Sequence, residues 1–257
     1  MAPGTRQLHE FCWINILSPE PAAARDFFAK VLGWTYGEIL GMGYSIKLDG
    51  RDVGGLFDAK GPDGSPMPPM IGVMVKVASA DAASARANEL GGKGEPAFDV
   101  GPQGRMAVLH DPTGANIDVW EGKGSQGTDA DIMLPGAPSW FELLTDAPDS
   151  AFPFYEKLFG WKCEKMPMKD IEYSTFSLGG PQPIAGMMTM TAEMKAMMKP
   201  EWGVYFNVTD PDATVKLVES LGGSVTVPAM DVEGVGRMAG VVSPHGVRFY
   251  VIRYAEM

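Results

Sequence analysis

An internal repeat constrains this chain more than any other feature of its sequence. Phe27-Phe28-Ala29-Lys30-Val31-Leu32-Gly33-Trp34 returns as Phe154-Tyr155-Glu156-Lys157-Leu158-Phe159-Gly160-Trp161. Ala97-Phe98-Asp99-Val100 and Gly104-Arg105-Met106-Ala107 return as Ala229-Met230-Asp231-Val232 and Gly236-Arg237-Met238-Ala239. Leu90-Gly91-Gly92 pairs with Leu221-Gly222-Gly223, and Pro112-Thr113-Gly114 with Pro244-His245-Gly246. The offset stays at about 130 residues, so the chain is two homologous halves. The glycine-rich run Glu121–Thr128, poor in apolar residues, marks the junction. We place one domain at 1–121, a linker at 122–136 and a second domain at 137–257.

Each half divides again. A strand over Phe11–Leu17 precedes a helix for which Ser18 is a cap and Pro19 suits the first turn. Ala23, Phe27 and Val31 mark its buried stripe, and Gly33 ends it. Short strands follow at Gly43–Leu48 and Val53–Phe57. The second quarter repeats the order: strand Ile71–Val77, helix from Asp81 to Leu90, then strands near Ala97, Met106–Leu109 and Asn116–Trp120. One strand, one helix and a run of strands, four times over, is an α+β pattern of four βαβββ modules.

With those motifs, the chain resembles the vicinal-oxygen-chelate superfamily of glyoxalases, bleomycin-resistance proteins and dioxygenases, as a tandem two-domain glyoxalase-like protein. The resemblance is carried by the Gly-Trp ends of the first helices and by the Gly-Arg-Met-Ala hairpins before the last strands. It implies modules pairing into two cup-shaped, incompletely closed β-barrels with helices outside and a site inside each cup. It also implies that metal-using members place His and Glu ligands on the first and last strands of each module. Here the first-strand positions hold Trp13 and Trp140, and of the last-strand positions only Asp118 carries a carboxylate, with Tyr250 as its counterpart. The next modules' first strands offer Met74 or Val75 and Val204 or Tyr205, and indole, thioether and alkyl groups do not hold Zn, Ni, Mn or Fe. We therefore expect no metal and no cofactor. An unorthodox set of His9, His110 and Asp118 is the alternative.

Strand alternation sorts the remaining candidates. Cys12, Ile14 and Ile16 are assigned to the helix side, leaving Phe11, Trp13 and Asn15 for the first cup, joined by Met74, Lys76, Asn116 and Asp118. The second cup receives Trp140, Glu142, Leu144, Tyr205, Asn207, Arg248 and Tyr250. Glu142, Tyr205 and Tyr250 are the catalytic candidates, because a carboxyl desolvated among aromatic rings acquires a pKa suited to proton transfer. Trp140, Asn207, Arg248, Trp13, Asn15, Lys76 and Asp118 are the substrate-binding candidates. The competing reading pairs Lys76 with Asp118 and Glu142 with Arg248 as ion pairs across the sheet. A methionine-dense stretch from Met187 to Met198 reads as core filling plus a short helix begun by Thr191, with a lip over the second cup as the alternative.

The expected activity is metal-independent acid–base chemistry of lyase or isomerase type on a small apolar or aromatic molecule. The alternatives are a non-catalytic binder and a metal enzyme with non-standard ligands. A net charge of −11 argues against nucleic acid and anionic membranes as partners. Cys12 and Cys163, outside any CxxC pair, suit a reducing compartment, and no apolar leader or membrane-length run is seen. Cytoplasm, as a monomer or homodimer, is the expectation.

Overall fold

In the computed structural model, residues 6–39, 41–61, 64–168 and 171–255 are described. Residues 1–5, part of the stretch read above for a leader, lie outside them. The first half runs β1 (Phe11–Ser18), α1 (Pro21–Leu32), β2 (Thr35–Ile39), β3 (Gly43–Leu48) and β4 (Arg51–Asp58). It continues with β5 (Met70–Lys76), α2 (Ala80–Glu89), β6 (Lys93–Gly94), β7 (Phe98–Val100), β8 (Gly104–His110) and β9 (Asn116–Gly122). The second half has β10 (Pro138–Thr145), α3 (Pro148–Phe159), β11 (Lys162–Met168), β12 (Ile171–Ser177), β13 (Pro183–Thr189) and α4 (Ala192–Met197). It closes with β14 (Glu201–Asn207), α5 (Pro211–Ser220), β15 (Ser224–Val232), β16 (Gly236–Val242) and β17 (Arg248–Tyr254).

Each half makes one sheet. The first has the order β2-β3-β4-β1-β5-β9-β8-β6, with β7 on β8, and the second β11-β12-β13-β10-β14-β17-β16-β15. In both, two modules meet through antiparallel pairing of their first strands, β1 with β5 and β10 with β14. The expected α+β architecture of four modules forming two incomplete barrels is what the chain adopts.

Local chemistry explains the helix boundaries. Gly33 and Gly160 take left-handed backbone with φ of 71° and 73°, and close α1 and α3 as the glycines predict. Ser18 does not cap α1. Its hydroxyl accepts from the Glu20 N–H, Pro21 fills the first turn, and the helix starts later than expected. Thr145 makes the same turn ahead of α3. The buried stripe of α1 is Ala24, Phe27, Phe28 and Leu32, one residue round from the expected Ala23–Phe27–Val31 line.

The convex faces of the two sheets share a continuous core. Phe11 stacks on Phe141 with centroids 4.0 Å apart. Tyr155 donates to Asp111, and Trp202 donates to the Tyr155 hydroxyl, each at 2.9 Å and buried. The two Gly-Trp tryptophans cross between halves: Trp161 donates to the His9 carbonyl and Trp34 to that of Gly136, both just before a first strand. The segment after β9 is strapped down, with the Thr128 N–H on the Cys12 carbonyl and the Arg6 guanidinium on the Ala130 carbonyl. The concave faces point away from this shared core.

Candidate functional site

A register shift between Phe11 and Trp13 in β1 corrects part of the strand sorting. The irregularity moves one residue across the sheet, so side chains upstream of it change face. Phe11 belongs to the shared core and Cys12 to the concave cluster with Met74, Trp120, Trp13 and Met106, the reverse of the expectation for both. The same shift occurs between Pro138 and Trp140 in β10. Downstream of it the sorting holds: Phe141, Leu143, Val204, Phe206, Phe249 and Val251 are core. Trp140, Leu144, Tyr205 and Tyr250 gather on the other face with Met188, Met190, Met194, Met198 and Met238.

Glu142 sits on that concave face and is 4 % exposed. Its strand neighbours are Gly186 on β13 and Gly203 on β14. Both are glycine because the space above them is taken. A Cβ at Gly186 would lie 2.6 Å from Glu142 Oε1 and against the Tyr173 hydroxyl, and one at Gly203 would lie 2.7 Å from the Tyr250 ring. The Trp140 indole and the Tyr173 hydroxyl both donate to Glu142 Oε2, at 3.2 and 3.1 Å. Oε1 is buried with no hydrogen-bond partner among the described residues. Burial pushes the carboxyl up to about 8, against the lowering effect of the Tyr173 and Trp140 hydrogen bonds. Because Oε2 already accepts two hydrogen bonds, the proton belongs on Oε1. Glu142 is thus a neutral acid near pH 7, and a base with a free oxygen above pH 8.

Tyr205 and Tyr250 stack at 4.6 Å between centroids. Desolvation raises both phenols, Tyr250 to about 12, so both keep their protons at neutral pH. Met190, Met194 and Met198 lie against this pair. α4 is capped by Thr191, whose hydroxyl accepts from the Met194 N–H, so the expected short helix is present.

Asn207 is committed elsewhere, whereas Arg248 stays at the second cup beside Tyr250. The Asn207 amide donates to the Met133 carbonyl and holds the inter-sheet segment. Arg248 faces Glu201 at 3.7 Å and the Met198 sulfur, so the Glu142–Arg248 ion pair does not form. In the first cup, the Trp13 indole donates to Asn15 Oδ1 at 3.1 Å, a match to Trp140 and Glu142. Lys76 donates to the Arg6 carbonyl instead of pairing with Asp118. Asp118 accepts from Asn116 at 3.1 Å, and burial raises its carboxyl to about 7.

Tyr173 escaped sequence reasoning; the register of β12 on β13, opposite Met188, is what brings it to Glu142. Metal chemistry finds no support in the donor set. Among the described residues, no three His, Cys, Asp or Glu side chains come together to hold an ion. His9 lies in a left-handed turn against Phe159, His110 ends β8, and Asp118 sits on β9, so the unorthodox set is not assembled. The two first-strand indoles are hydrogen-bond donors to their own neighbours, not ligands.

Two half-open sheets of paired βαβββ modules, each with a side-chain-lined concave face, define a class. The chain belongs to the glyoxalase/bleomycin resistance protein/dioxygenase superfamily, whose sequence profile matches residues 11–119. Among its relatives, "Putative glyoxylase CFP32" of Mycobacterium tuberculosis is 32% identical over 258 residues, covering 95% of this chain and 94% of the relative. "Anthracycline biosynthesis protein DnrV" of Streptomyces peucetius is 31% identical over 260 residues, covering 95% and 93%. Among solved structures, the Mn(II)-bound glyoxalase from Novosphingobium aromaticivorans aligns with a TM-score of 0.64 at 16% identity, over 96% of this chain and 85% of that one. A catechol 2,3-dioxygenase aligns with a TM-score of 0.64 at 14% identity, over 98% and 90%. At that identity the structural likeness speaks for fold alone. No helix among the described residues is long and apolar enough to cross a membrane.

Proposed function

We propose that the chain binds a small apolar or aromatic molecule in the cup of its second half (137–257) and transforms it by metal-independent acid–base chemistry of lyase or isomerase type. The observation that carries this reading is the buried Glu142 carboxyl, with one oxygen held by Trp140 and Tyr173 and the other unpartnered. Ionised, Oε1 removes a proton from a carbon next to a carbonyl, and the electron pair moves onto that carbonyl oxygen. Tyr205 or Tyr250 donates a hydrogen bond there, and Glu142 returns the proton to the other face of the same carbon, or to the γ-carbon where a β,γ double bond extends the enolate, completing an isomerisation. Expulsion of a β-substituent instead makes the reaction a lyase reaction. Rings and thioethers around the acid suit a flat, uncharged substrate. The name of the Streptomyces relative, an anthracycline biosynthesis protein, supports a polycyclic aromatic one.

The test is a panel of hydroxyanthraquinones, naphthoquinones and flavanones, followed by tryptophan fluorescence for binding and by mass spectrometry for conversion. Glu142→Gln keeps the shape and loses the base. Turnover lost by at least about 100-fold with binding retained is expected, in line with the usual contribution of a general base. Binding without turnover in the wild type, unchanged in the variant, supports the second reading, a sequestering protein. The methionine–tyrosine packing over the cup favours that alternative, because it provides contact area without chemistry.

A further inference from the structure

The first cup carries a different chemistry. On its floor Asn15 is flanked by glycines on both neighbouring strands, Gly55 and Gly72, as Glu142 is in the second cup. The space above Gly72 is bordered by acceptor oxygens, the Asn15 carbonyl among them. A Cβ there would meet Asp118 Oδ2 at 3.3 Å and Asn116 Oδ1 at 3.7 Å. The Asn116 amide nitrogen spends itself on the Leu109 carbonyl and Asp118 Oδ1, which fixes its oxygen as an acceptor. Asp118 is 6 % exposed, and Oδ2 has no hydrogen-bond partner among the described residues. The cation that shares its face of β5, Lys76, is committed to the Arg6 carbonyl. Two oxygens therefore converge on one spot, one of them on an ionisable acid, and the protein supplies no donor to either. Trp13, Trp120, Met74 and Met106 make the surrounding wall.

We propose that the first cup is a second ligand site, independent of the second, that takes a small planar organic cation with paired N–H donors, such as an amidinium, guanidinium or protonated aminoheterocycle. One N–H faces Asp118 Oδ2 and the other Asn116 Oδ1, while the flat cation lies against indole and thioether, where cation–π attraction adds to the ion pair. The net charge of −11 favours approach of a cation. When the cation enters, Asp118 gives up the proton that burial had kept on it, and that proton passes to solvent. The titratable neighbours on the strands beside β9 are Lys76 on β5 and His110 and Arg105 on β8, Arg105 paired with Asp81 and Asp99; none is hydrogen-bonded to Asp118.

Calorimetric titration of the full chain with benzamidine tests this. Wild type is expected to bind benzamidine, with neutral benzamide and anionic benzoate at least about tenfold weaker, the difference a charge-assisted pair supports. Asp118→Asn, which removes the ionisable acid, and Gly72→Ala, which puts a methyl 3.3 Å from Asp118 Oδ2, each weaken benzamidine at least about tenfold. In the wild type alone, binding at pH 6 releases close to one proton, and at pH 8 much less, seen as a dependence of the heat on buffer ionisation enthalpy. Failure of wild type to bind benzamidine overturns the proposal. So does equal affinity in both variants, equal affinity for benzamide, or proton release that does not change with pH. None of these outcomes bears on Glu142 or the second cup.

Discussion

Glu142 couples the site to the stability of the whole protein. Its carboxyl is raised by burial from 4.5 to about 8, so between those values the folded state holds a proton that the unfolded chain has lost. Stability therefore falls as pH rises through that window and levels off above it. Glu142→Gln cannot ionise. Near pH 5 it should match the wild type, and at pH 9 it should be more stable by on the order of a few kcal/mol, measured by urea denaturation across pH. The opposite ordering at pH 9 would mean that an unseen partner stabilises the carboxylate. Tyr173→Phe removes one of the two hydrogen bonds that favour the ionised form, so it should raise the Glu142 pKa further and shift the basic limb of any rate profile upward. Most of this site was legible before any coordinates, because Phe141, Leu143, Val204 and Phe206 fix the parity of β10 and β14 by their hydrophobicity alone. Tyr173 was not, since β12 has one partly polar face and nothing in its neighbours ranks a tyrosine above a threonine.

At the scale of elements, irregularities separated expectation from structure. Alternation is a rule for regular strands, and the shifts at Phe11/Trp13 and Pro138/Trp140 break it once in each half. That put Cys12 in the concave cluster, where burial raises its thiol to about 12 and makes it unreactive. Helix starts were misjudged for a similar reason: Ser18 precedes Pro19 and Pro21, and which proline opens the helix depends on a turn that composition does not reveal. α4 borders the second cup through Met194. It has six residues, none of them buried, and is held by the Thr191 cap and by Met194 and Met198 resting on the tyrosine pair. A helix that short has little stability of its own. Thr191→Ala should cost about 1 kcal/mol locally and raise hydrogen exchange in 192–198 while leaving β10 protected. Met190→Ala, at a site 3 % exposed, should cost about 2–4 kcal/mol globally, read from the denaturation midpoint.

For the whole molecule, the repeat foretold two matching halves but not how firmly they are joined. The joining groups are spread thinly in sequence: Trp34 and Trp161 reach backbone carbonyls of the other half, and Tyr155 links Asp111 to Trp202. Each of these reads, in the sequence, as an ordinary core aromatic. Because the buried cluster runs through both sheets without a break, unfolding should be a single transition, with fluorescence and circular dichroism coinciding. Tyr155→Phe leaves Asp111 and the Trp202 indole each short of a buried partner, and should lower stability by about 1–3 kcal/mol without splitting that transition.

The presence of a neutral, proton-bearing Glu142 at the floor of the second cup is tested most directly by infrared spectroscopy of the carboxylic acid C=O stretch, titrated from pH 5 to pH 10 in wild type and Glu142→Gln. A band present in the wild type, absent in the variant and lost with a midpoint near pH 8 is the predicted result. A Glu142 that is already ionised at pH 5, giving no such difference between the two proteins, would contradict it and remove the acid–base chemistry from the second cup.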